Sequence, residues 1–255
     1  MNEKVQELKY KAATLAHSVD LIHCFLNPYK NEWDWSNIIY NQYPELREKI
    51  AGIKKVSDRK TVELAFFKEL IESNKIDLAA KAKIFQSSWN KVGVSVFAAL
   101  ANIVETDWQG ITEVVASVSL NPINPRFIES STFDIFYGSS PELANGTAVH
   151  EIFHFIYFKK WREIFPKTKK REFDAPYLVW HLSEMVPGIV LNDIRLQKVF
   201  KHKFHSYDVY ESAFLDEKPL LSYLQNFYNN RKDFADFLQE SWEFVQKNKK
   251  FIQSL

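Results

Sequence analysis

The pentapeptide His150-Glu151-Ile152-Phe153-His154 lies inside a nearly unbroken apolar stretch that runs from Thr147 to Phe158. On a helix, residues i and i+4 stack on one face, so the two imidazoles converge on a single point. A zinc ion needs that geometry from two of its protein ligands. Glu151, beside the first histidine, leans over the same point and is placed to take a proton from water. Asn145-Gly146-Thr147 offers capping residues just before the apolar run, so the helix is expected to start there. The bland alternative is two core or solvent-facing histidines on an ordinary buried helix.

The chain has 255 residues, enough to bury a sizeable core as one large domain or two small ones. With 46% hydrophobic and 15% aromatic residues it is no disordered chain. A net charge of +1 gives no electrostatic reason to expect nucleic acid or an anionic membrane as partner. The single cysteine, Cys24, excludes an intramolecular disulfide and fits a reducing compartment. The N-terminus is charged and amphipathic, without the basic-then-apolar pattern of a secretion signal. No run of apolar residues is long enough to span a bilayer. A cytoplasmic location is the expectation.

Along the chain, Val5, Leu8, Ala12, Leu15, Ala16, Val19 and Ile22 recur at helical spacing, with Asn27-Pro28 as the stop. Further helices are expected over 35–40, 44–50 and 61–71, and one long helix over 77–105 with Gly93 as a mild interruption. From Gly110 the texture turns to strand: 111–120, 126–129 and 132–137 are short β candidates separated by Asn-Pro turns. The loop 138–141 leads into the His150–His154 helix, and an amphipathic helix over 232–247 closes the chain. The fold class is α+β, predominantly helical, with a small sheet packed on a long helix. An N-terminal helical region, 1–76, precedes a core over 77–255, unless the two form one continuous domain.

A hydrolytic zinc site wants three protein ligands and one open position. Downstream of His154 the candidate donors are Glu172, Asp174, His181, Glu184 and Asp193. Glu184 stands out because its surroundings, from Tyr177 to Val186, are otherwise apolar, and a carboxylate buried there without a partner is costly. A cation removes that cost. His181, one turn earlier on nearly the same face, competes with it for the third place. The metzincin pattern, with a glycine and a third histidine following the pentapeptide, is excluded because Tyr157 and Lys160 occupy those positions.

From about residue 77 to 200 the order of long helix, small sheet, HExxH helix and glutamate-bearing helix resembles the gluzincins. These are the thermolysin-like zinc metallopeptidases, and the likeness is to their compact members. The resemblance implies one zinc ion held by His150, His154 and Glu184, with Glu151 as general base in peptide hydrolysis. Two departures are visible. The gap from His154 to Glu184 is long, and Gly188 stands where the family often carries an aspartate that orients a ligand histidine. Asn192 or Asp193 could serve from further along, beyond the kink expected at Pro187.

The expected substrate is a peptide or protein, with no role for nucleic acid or membrane. Candidates for stabilising the oxyanion or supporting the site are Tyr157, Tyr177, His181, His205, Tyr207 and Tyr210. The strand 132–137 is a candidate edge for pairing with an extended peptide. Two alternatives stand beside the peptidase. One is a regulatory protein whose gluzincin core acts on a dedicated partner; the other is a metal-binding scaffold without catalysis.

Overall fold

The structure, a computed structural model, describes residues 6–27, 34–111 and 113–255. The expectations placed on Val5, Pro28 and Thr112 lie outside these. The protein is α+β and predominantly helical, 61% helix with a small mixed sheet. Two compact units divide the chain: a sheet unit from 7–91 and 113–148, and a helical unit centred on 92–111 and 149–255. The helices expected in the N-terminal region 1–76 thus share a unit with the strands that follow residue 113.

In the sheet unit, β1 (Leu8–Ala12), β2 (Val114–Ser119), β3 (Arg126–Phe127) and β4 (Thr132–Phe136) form one sheet in the order β1-β2-β4-β3. The strands β1, β2 and β4 are parallel, and β3 is antiparallel to β4. The helical spacing read over Leu8 and Ala12 is corrected by β1. Leu8 and Tyr10 are buried and alternate with exposed neighbours, the period of a strand. Their partners lie a hundred residues on, in the register Leu8↔Val114 and Tyr10↔Ala116. The free edge of β1 is covered by a side chain: Gln86 accepts from Tyr10 N at 2.9 Å and donates to Leu8 O at 3.1 Å.

The first helix, α1 (Leu15–Leu26), starts only after β1, where the Thr14 side chain accepts from His17 N. It packs on α4 (Val56–Asn74), and α2 (Ser36–Gln42) and α3 (Pro44–Ile50) complete the layer. Tyr43, Phe66 and Phe67 form an edge-to-face cluster at its centre, and Tyr43 donates to Leu120 O at 2.6 Å. The long helix expected over 77–105 is two helices, α5 (Leu78–Trp89) and α6 (Gly93–Val104). They belong to different units, and the chain divides between Lys91 and Val92. Asp77 caps the first of them by accepting from Ala80 N. The break is local: Lys91 N turns back to Ser88 O, and buried Gly93 opens the next helix.

The strand expected over 126–129 is only β3, followed by a 3-10 turn at Ile128–Ser130. β4 is not an edge. It pairs with β2 on one side, while on the other β3, Pro125 O (2.9 Å from Asp134 N) and Asn124 Oδ1 (3.0 Å from Phe136 N) occupy its main chain. An extended peptide therefore has no open pairing position along 132–136, which corrects that expectation.

The pentapeptide lies on α7 (Pro141–Ile164), which starts earlier than the Asn145-Gly146-Thr147 signal suggested. Ser140 takes the capping role: its Oγ accepts from Leu143 N at 3.2 Å, and Pro141 follows as the first helical residue. Asn145 instead lies within the helix and donates to Ser88 Oγ at 3.0 Å.

In the helical unit follow α8 (Leu178–Met185), α9 (Pro187–Val190), α10 (Ile194–Gln197) and α11 (Asp208–Glu211). A short hairpin, β5 (Phe214–Leu215) and β6 (Lys218–Pro219), precedes α12 (Leu220–Asn230), α13 (Phe234–Lys247) and α14 (Lys249–Ile252). α8 packs on α9, α13 and α14, and so is enclosed by helices of its own unit. No helix among the described residues is long and apolar enough to cross a membrane.

Candidate metal centre

From Val149 to Phe158 every residue of α7 except His150 is buried, so the helix runs as an enclosed rod rather than a surface element. That explains an apolar run with no polar face. His150 keeps 21% of its side chain exposed, and His154 is fully enclosed. Their Nε2 atoms lie 2.9 Å apart, an approach that the i, i+4 spacing on one helical face permits.

Glu184 completes the group. On α8 all residues from Val179 to Met185 are buried, and Glu184 is 1% exposed. Its Oε2 lies 3.5 Å from His150 Nε2 and 3.6 Å from His154 Nε2. Among the described residues, His150, His154 and Glu184 form the group of donor side chains able to hold a metal ion, with ligand atoms all within 4.8 Å of one another. Tetrahedral zinc with nitrogen and oxygen ligands sets donor–donor separations of about 3.3–3.5 Å. The two carboxylate distances meet that value, and the imidazoles would have to part by about half an ångström. Two imidazoles and one carboxylate also form a donor set of a catalytic zinc site. The residues present fit the ion.

His181 does not join the group. Its Nδ1 is 2.8 Å from the Tyr210 hydroxyl, and burial holds its imidazole below the ordinary value, against the opposing influence of Glu184 and the Pro176 carbonyl. The other sequence candidates also fall elsewhere. Glu172 sits in a 3-10 turn and Asp174 is exposed just after it. Asp193 caps α10 and is gripped by Arg195 through Nε at 2.9 Å and Nη2 at 2.7 Å, while Tyr228 donates to it at 2.7 Å. Asn192 spans from Gly188 O at 2.7 Å to Phe204 O at 2.9 Å. Neither orients a histidine of the group.

Glu151 is 6% exposed on α7, next to His150. Of the candidates for a supporting role, Tyr177 precedes α8 with its ring beneath the Arg171 guanidinium at 5.7 Å. His205 faces solvent and engages Glu211 at 3.1 Å. Tyr207 stacks on Tyr210 with ring centroids 6.1 Å apart. Tyr157 is fully buried on the histidine face of α7.

Gly188 has a physical reason that sequence reasoning missed. A Cβ there would come within 2.8 Å of both Ser206 N and Ser206 Oγ. Ser206 also donates to Met185 O at 2.7 Å, which fastens the returning chain onto the end of α8. The place where the resembled family carries an aspartate is filled here by backbone. A glycine directly after a proline was the one signal available.

Comparison with protein-family models, curated proteins and solved structures yields no match to this chain. Function is therefore to be inferred from the geometry of His150, His154 and Glu184.

Proposed function

We propose that the protein is a zinc-dependent peptidase. The observation that carries this reading is the approach of one carboxylate oxygen to within 3.5 and 3.6 Å of two imidazole nitrogens that are themselves 2.9 Å apart. A carboxylate buried beside two imidazoles is an arrangement that a divalent cation between the three groups would stabilise.

Zinc held by His150, His154 and Glu184 would polarise the scissile carbonyl and make water acidic enough to attack near neutral pH. Glu151, adjacent to the first ligand, takes the proton from that water and passes it to the departing amine. His150 keeps the group open on one side, since it alone of the three ligands retains exposure.

The test is zinc-loaded protein against a mixed set of short peptides and an unfolded protein, with Glu151→Gln in parallel. Cleavage by wild type and its loss in the variant support the reading. A zinc-loaded wild type that cleaves none of them contradicts general peptidase activity.

A further inference from the structure

Two phenols lie within electrostatic reach of Glu184, Tyr157 and Tyr210. Burial is the first cause holding each phenol above its ordinary value, and the Glu184 charge is the second. Tyr210 already uses its hydroxyl, 2.8 Å from His181 Nδ1. The Tyr157 hydroxyl is buried with no hydrogen-bond partner. A sequestered hydroxyl in that state disfavours the folded chain, because water hydrogen-bonds it in the unfolded one.

Packing alone does not account for it. Tyr157 stands among Phe153, Phe158 and Trp161, with ring centroids 5.6, 5.2 and 6.1 Å away. A phenylalanine would supply the same ring without the polar atom. Its position three residues after His154 and seven after His150 puts it on the face of α7 that carries both imidazoles. Because it is fully buried, it has no route to a substrate carbonyl, and a direct part in stabilising an oxyanion is not open to it.

We infer that Tyr157 is a positioning residue for Glu184: when a cation is held by His150, His154 and Glu184, the Tyr157 hydroxyl donates to the carboxylate and fixes it as a ligand. Ligating carboxylates are commonly held by such outer partners. The inference rests on the metal reading above and extends it to a residue outside the ligand set.

The test is Tyr157→Phe compared with wild type in two measurements. Zinc affinity is read by competition with a chromophoric chelator, and thermal unfolding is followed with and without zinc. The expected result has opposite signs: zinc affinity falls about 10–100-fold, while the metal-free variant melts at or above the wild-type temperature. Equal zinc affinity in both proteins overturns the inference and leaves the metal reading intact. A metal-free melting temperature lowered as much as the zinc-loaded one also overturns it, since that marks a packing role. A wild type that takes up no zinc overturns the metal reading and this inference together.

Discussion

His154 Nε2 lies 3.6 Å from Glu184 Oε2, a meeting of two fully enclosed side chains on different helices. Both side chains are buried, Glu184 at 1% and His154 at 0% exposure, so the contact brings a carboxylate and an imidazole together out of water. Under the metal reading proposed above, a cation between them and His150 would stabilise the pair.

Removing the carboxylate should therefore abolish metal retention. Glu184→Ala is expected to lower zinc affinity by more than the roughly 10–100-fold typical of outer-shell changes. His181→Ala should keep wild-type zinc content, because His181 lies outside the donor group of His150, His154 and Glu184. Metal analysis of the two dialysed variants separates them. Zinc lost from the His181 variant and kept in the Glu184 variant would reverse the assignment.

Glu151→Gln preserves shape and removes the proton acceptor. Zinc stoichiometry should stay at the wild-type value while the rate of peptide hydrolysis falls by about 10²–10⁴-fold, the usual range for general acid–base catalysis. Steady-state kinetics with a fluorogenic peptide, alongside metal analysis, checks both halves.

Gly188→Ala should destabilise the fold without touching the ligands. The added methyl meets Ser206 N, a backbone atom, at 2.8 Å. Overpacking of this kind costs about 1–3 kcal/mol. Chemical denaturation of the metal-free proteins measures it, and an unchanged midpoint would contradict the close approach.

Asp193 sets an acid limit on stability. Burial acts to raise its pKa, but the Arg195 hydrogen bonds and the Tyr228 hydroxyl outweigh it, and the carboxyl is held well below the usual carboxylate range. A carboxyl depressed in the folded state contributes stability that is complete above its unfolded pKa of about 3.9. That contribution is lost as pH falls from there toward the folded value. Wild type should lose unfolding free energy below about pH 4 more steeply than Asp193→Asn does. Urea melts at pH 3 and pH 6 test the slope, and parallel curves would contradict it.

How much of this was legible in the sequence depended on the range of the interactions. The two histidines needed only the helical period, and Glu184 betrayed itself as a lone carboxylate in an apolar run. β1 was hidden because Leu8 and Ala12 fit a helical spacing as well as a strand, and its pairing partner Val114 is remote. The break between α5 and α6 was masked for a related reason, since apolar positions continue at helical spacing across the turn. The closed outer side of β4 came from Asn124 and Pro125, residues whose only local signal was a turn. Glu142 and Ser140 mark a start to α7 that the nearer Asn145-Gly146-Thr147 signal obscured.

The most direct measurement is zinc-edge anomalous diffraction from crystals of the zinc-loaded wild-type protein. One ion per chain is expected, bonded to His150 Nε2, His154 Nε2 and the Glu184 carboxylate, each at about 2.0–2.2 Å. Zinc bound at other side chains, or no anomalous peak between these three, would contradict the account.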